Sequence, residues 1–110
     1  MKIAETPKPP YFAVIFTSLL KNNQEGYHEM AELMETLVIK QEGYLGHESA
    51  RDGLGITISY WKSLENIKDW KANSEHLIAQ KLGKEKWYKQ FKTRICRVER
   101  EYGFSDTLNT

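Results

Sequence analysis

Tyr60-Trp61-Lys62-Ser63, followed by Leu64, Ile67 and Trp70 and then by Asn73-Ser74-Glu75-His76, decides how this chain folds. Ile56 to Lys62 is rich in β-branched and aromatic residues, which marks a strand. Ser63 stands where a helix N-cap is needed, with Glu65 in the first turn behind it. Leu64, Ile67 and Trp70 recur at helical spacing and predict an inner face. The stretch therefore reads as a strand ending in aromatics, a turn at serine and a helix with a second tryptophan on its packed side. Aromatics gathered at such a corner can wall a pocket, and a nearby histidine can add proton chemistry.

Working outward, Asp52-Gly53-Leu54-Gly55 is a short turn joining this strand to another over Tyr44 to Arg51, so the two form a hairpin. Before the hairpin, Tyr27, Met30, Leu33, Met34, Leu37 and Val38 form an apolar helical stripe, with Glu29, Glu32, Glu35 and Lys40 outside it. Asn22 and Glu25 have the spacing of a capping box, and Gly43 suits the helix end. The first strand, Tyr11 to Ser18, is apolar on both alternating faces, which predicts cover on both sides. One helical layer can supply one cover. A second copy of the chain can supply the other, which points to a homodimer. Asn73 or Ser74 is expected to interrupt and recap the helix. Leu77, Ile78 and Leu82 continue helical spacing, and Gly83 loosens it near Trp87-Tyr88. Phe91 to Tyr102 reads as a long last strand. The order is β-α-β-β-α-β, an α+β ferredoxin-like protomer with an antiparallel sheet. The expected organisation is an extended lead-in over residues 1–10, a domain over 11–102 and a polar tail over 103–110.

Composition narrows the functional classes. The chain has 110 residues, 28% charged and 40% hydrophobic, with a formal net charge of +1. That suits one globular domain and recruits neither nucleic acid nor an anionic membrane by global field. Charge is uneven: residues 1–60 carry 5 basic and 8 acidic side chains (net −3), and residues 61–110 carry 11 and 7 (net +4). Interleaved Glu85, Glu99 and Glu101 make the basic half read as a solvated face rather than a nucleic-acid site. The single cysteine, Cys96, excludes an intrachain disulfide. Met1 to Pro10 lacks the apolar core of a signal peptide, and no apolar run reaches the ~18 residues of a membrane span. Cytoplasmic residence is the resulting expectation.

The arrangement resembles the antibiotic biosynthesis monooxygenase domain over about residues 10–102. The resemblance is carried by Gly43-Tyr44-Leu45-Gly46, Ile58-Ser59-Tyr60-Trp61, Ser63-Leu64-Glu65, Trp70 with Asn73 and His76, Trp87-Tyr88, Arg94-Ile95 and Val98-Glu99-Arg100. It implies a dimeric α/β barrel. Such domains include oxygenases of polyphenolic antibiotic precursors that need no cofactor, haem-degrading enzymes and proteins that process a signalling sugar. The haem-degrading members use an asparagine on the first strand, a helix tryptophan and a histidine about ten residues beyond it. Trp70 matches the tryptophan. Gln80 stands where the histidine is needed, and Tyr11 to Ser18 contains no asparagine, so haem degradation is not the leading expectation.

Cofactor-free oxygenation of a small aromatic or quinol-type compound is the leading one. It requires a pocket, a proton acceptor and stabilisation of the substrate anion. His76 is the expected base, since an unperturbed histidine titrates near about 6.5. Trp61 and Trp70 are the expected pocket walls, and Tyr60 a hydrogen-bond donor. The expected place is between sheet and helices, with no bound cofactor or metal. Each residue also has a plainer reading: Trp70 shares a stripe with Ile67 and suits the core, and His76 suits an exposed helical turn. His28 adjoins the acidic helix face, and His47 with Glu48 cannot chelate one ion because adjacent strand residues face opposite ways. A non-catalytic dimer of the same fold, binding a small ligand or serving a stress-related role, is the alternative function.

Overall fold

The computed structural model describes residues 2–76 and 83–106. The elements are β1 (Tyr11–Leu20), α1 (Tyr27–Val38), β2 (Tyr44–Asp52), β3 (Leu54–Trp61), α2 (Leu64–His76), a π-helical turn (Gly83–Trp87) and β4 (Tyr88–Val98). All strand pairs are antiparallel, in the order β2-β3-β1-β4. This is the ferredoxin-like α+β fold the order of elements predicts. The apolar strand β1 lies inside the sheet, with β3 on one edge and β4 on the other.

The register sorts the residues onto two faces. Phe12 is opposite Trp61, Val14 opposite Ser59 and Phe16 opposite Thr57. These residues look toward the helices, where Val38 of α1 and Ile67 of α2 close on Trp61 with Phe12, Val14, Tyr44 and Trp70 around them. Trp61 is fully buried. Ala13, Ile15 and Thr17 look the other way with Tyr60, Ile58 and Ile56. The lead-in covers one end of that second face. The Ala4 N–H donates to Glu48 at 3.0 Å, and the Thr6 hydroxyl donates to Glu101 at 2.7 Å. Farther along the same face Leu54 and Ile56 are 47% and 39% exposed.

Local signals were realised unevenly. Ser63 caps α2 by accepting the Asn66 N–H at 3.1 Å. The Asn22–Glu25 capping box does not form. Asn23 instead accepts the Glu25 N–H at 3.1 Å, and α1 begins after Gly26 without a side-chain cap. A tertiary tie fixes that linker: Lys21 N–H donates to the Trp87 carbonyl at 2.7 Å, and Trp87 Nε1 donates to the Glu25 carbonyl at 2.8 Å. Helix α2 runs through Asn73 and Ser74 without a break, because Ser74 turns its hydroxyl back to the Lys71 carbonyl at 3.0 Å rather than capping a new helix. Leu33 and Leu64, both assigned inward by spacing, are 46% and 55% exposed. The last strand starts at Tyr88 and ends at Val98, earlier at both ends than its composition suggests. Leu77, Ile78, Gln80 and Leu82 lie outside the described residues.

Candidate functional site

The site is built where β2, β3, α1 and α2 meet. Two junctions converge there: the Lys62 N–H at the start of the β3–α2 link donates to the Gly43 carbonyl of the α1–β2 link at 2.8 Å. Gly43 has φ 82°. A Cβ at Gly43 would stand 2.1 Å from the Asn66 amide oxygen, so glycine is required both by its backbone and by the approach of α2.

Trp61 and Trp70 stack, with centroids 6.4 Å apart and planes at 26°. Tyr44 meets Trp61 edge to face at 5.8 Å and 78°, a favoured aromatic geometry. The Trp61 indole N–H is engaged by the Ser59 hydroxyl at 2.8 Å. Trp61 therefore anchors the corner from within, and half-buried Trp70 is the indole that retains accessible surface. His76 ends α2, on the same helix as Trp70, and its side chain lies outside what the structure describes. Tyr60 does not join this corner. It follows the strand alternation onto the opposite face, donates to Glu48 at 2.7 Å and meets Tyr11 edge to face at 5.8 Å. Burial raises the Tyr60 phenol well above its ordinary pKa, and the hydrogen bond to Glu48 adds to the rise.

A feature that spacing alone hides completes the corner. Tyr44 pairs with Trp61 and Gly46 with Tyr60, so Leu45 is an extra residue in the ladder, a β-bulge. Without it Tyr44 and His47 would face opposite sides of the sheet. With it both face α1. The Tyr44 hydroxyl hydrogen-bonds His47 Nδ1, and His47 Nε2 lies 3.4 Å from Glu35 Oε1 of α1. Burial raises the Tyr44 phenol above its ordinary pKa, and the charge of Glu35 raises it further. The side chain of His47 is 23% exposed and that of Glu35 62%. The chain thus runs from the aromatic interior to solvent. The available sequence signal was Gly46, a glycine inside a strand pattern, which marks bulges. Its φ is 148°.

A shallow cleft of about 360 Å³ adjoins the corner, lined by Gln41, Glu42, Asn66, Asp69, Ala72 and Asn73. The Asn73 amide donates to the Gln41 side-chain oxygen across it at 3.2 Å.

This architecture is shared with solved structures. SnoaB of Streptomyces nogalater, a cofactor-independent oxygenase, superposes with a TM-score of 0.67 over 89% of this chain and 100% of its own, at 8% identity. A Bordetella bronchiseptica protein named as a candidate antibiotic biosynthesis monooxygenase gives 0.64 over 86% and 100%, at 13% identity. PA3566 of Pseudomonas aeruginosa gives 0.67 over 87% and 99%, at 17% identity. The fold is therefore that of the antibiotic biosynthesis monooxygenase-like proteins. At the level of sequence, the chain is 43% identical over 109 residues to the uncharacterized protein YqjZ of Bacillus subtilis (strain 168), covering 97% of this chain and 96% of that one, and it belongs to the YqjZ family. No family model matches it.

Proposed function

We propose that this protein oxygenates a small aromatic compound of the phenol, quinol or anthrone class at the corner of α1, β2, β3 and α2, using dioxygen and no bound cofactor. The observation that carries the reading is the Trp61–Trp70 stack, flanked edge-on by Tyr44, in a fold shared with a cofactor-independent oxygenase. A flat substrate can extend this stack on the accessible side of Trp70. Removal of its proton gives an electron-rich anion that can itself reduce dioxygen. For an anthrone, the ring methylene becomes a carbonyl, one oxygen atom enters the product and the other leaves as water, so the substrate supplies all the electrons. The protein must supply binding, a proton acceptor and stabilisation of the anion. In this reading Trp70 presents the wall with Trp61 buried behind it, and His76, on the helix of Trp70, is one proton acceptor.

We also infer that the protein works as a homodimer paired through the sheet face that carries Leu54, Ile56, Ile58 and Ile15. Leu54 and Ile56 on this face are 47% and 39% exposed, an apolar surface that a second copy of the chain would cover.

The test is oxygen uptake with a panel of anthrones and quinols, together with quenching of tryptophan fluorescence as a binding signal. The expected result is uptake matched to product, lost in Trp70→Ala and lowered in His76→Ala. Binding without uptake assigns the corner to a non-catalytic ligand-binding role. Neither binding nor uptake across the panel overturns the proposal.

A further inference from the structure

Resting on the oxygenase reading above, we infer that Tyr44, His47 and Glu35 form a proton relay that takes the hydroxyl proton of a phenolic substrate and carries it out of the aromatic corner. Three independent structural facts converge on it. The bulge at Leu45 turns Tyr44 and His47 to the same face. The Tyr44 hydroxyl and His47 Nδ1 are hydrogen-bonded. Glu35 arrives from a different element, α1, and faces the other ring nitrogen at 3.4 Å.

The chemistry follows from the order of the groups. The carboxylate of Glu35 favours the imidazole proton on Nε2, which leaves Nδ1 to accept from the Tyr44 hydroxyl. The Tyr44 oxygen keeps a lone pair for a donor on its far side. A substrate hydroxyl placed there passes its proton to the Tyr44 oxygen while Tyr44 passes its own to His47 Nδ1. Tyr44 ends as it began, the substrate becomes an anion and His47 becomes an imidazolium beside the Glu35 carboxylate. No electron moves in this step. The proton then leaves to water at the exposed Glu35 end. The division of labour has the logic of a nucleophile–histidine–carboxylate triad, with a tyrosine oxygen as the shuttling group. Glu48, adjacent in sequence to His47, faces the opposite side of the sheet and binds Tyr60, so it takes no part. Among the described residues, the titratable groups facing His47 are Tyr44 on its own strand and Glu35 on α1.

The test uses a dihydroxyanthraquinone dye whose visible absorption reports its own ionisation. Bound to the parent protein at neutral pH, the dye is expected to show a ratio of ionised to neutral form at least tenfold above that in free solution. Tyr44→Phe and His47→Gln are expected to abolish the gain while the dissociation constant changes less than about threefold. Glu35→Gln should retain part of it, and Trp70→Ala should weaken binding itself. An equal ionised fraction in Tyr44→Phe, His47→Gln and the parent overturns the relay while leaving the oxygenase reading standing. A dye and substrate panel that never binds overturns both. Nitrogen NMR of His47 provides a reading without ligand: Nδ1 is expected to be an unprotonated acceptor that shifts in Tyr44→Phe. A protonated Nδ1 in the neutral ring overturns the relay whatever the dye does.

Discussion

Replacing Gly43 by alanine should be among the most damaging small changes in this protein, and its cost can be apportioned. Gly43 has φ 82°, a left-handed conformation that costs a residue with a Cβ roughly 1–2 kcal/mol. The new methyl would also stand 2.1 Å from the Asn66 side-chain oxygen, 2.2 Å from its Cγ and 2.7 Å from its Cβ. Rotating the amide away cannot relieve the contact with Cβ, so α2 must shift or the junction must open. Displacing the amide also breaks its 2.7 Å hydrogen bond from the Ser63 hydroxyl, worth about 1 kcal/mol. The total expected loss is about 2–4 kcal/mol, or a urea midpoint lower by about 1–2 M at a typical slope. Urea unfolding followed by circular dichroism at fixed protein concentration measures it. A double-mutant cycle separates the two causes. Asn66→Gly removes the atoms the methyl meets, so Gly43→Ala should cost about 1–2 kcal/mol less in that background and retain the left-handed penalty. A Gly43→Ala midpoint within about 0.3 M of the parent, or no coupling with Asn66→Gly, would refute the packing argument.

Three further outcomes are expected. Trp61→Ala removes the fully buried centre of the core and should cost about 3–5 kcal/mol by urea unfolding. Ile56→Glu or Leu54→Asp places a charge on the uncovered sheet face and should leave a folded monomer by light scattering; a dimer that persists in both would place the interface elsewhere. The phenols of Tyr11, Tyr44, Tyr60 and Tyr88 all titrate above their ordinary value, first through burial. Raised folded pKa values mean that the unfolded chain ionises first, so their stabilisation is complete below about pH 10 and is lost as pH rises from there toward the folded values. Absorbance near 295 nm should therefore show these phenols ionising together with loss of circular dichroism, and Tyr60→Phe should blunt the alkaline loss.

The fold was legible because hydrophobic periodicity is a local record of which side each element buries. The apolar run of β1, the stripe of α1 and the Ser63 turn into α2 suffice for the β-α-β-β-α-β order. The candidate site was legible in part. Trp61 and Trp70 share a corner, as their positions at a strand end and on the next helix suggest, whereas Tyr60 and Trp61, adjacent in sequence, stand on opposite faces of the sheet. Strict alternation places His47 and Tyr44 on opposite faces and so hides their contact. A bulge changes that alternation by one residue, and no period in the sequence encodes the resulting face.

The sequence by itself determined the order of elements, the serine cap of α2 and the aromatic nature of the corner. Each depends on residues within a turn or two of one another. Only the tertiary structure decided that Asn23 and Trp87 tie down the entry to α1 in place of a capping box, that Trp61 points its indole N–H into Ser59, and that Tyr44, His47 and Glu35 come into line. Trp87 and Glu35 reach these places from distant segments, and the Tyr44–His47 contact depends on the bulge in β2; local propensity contains neither.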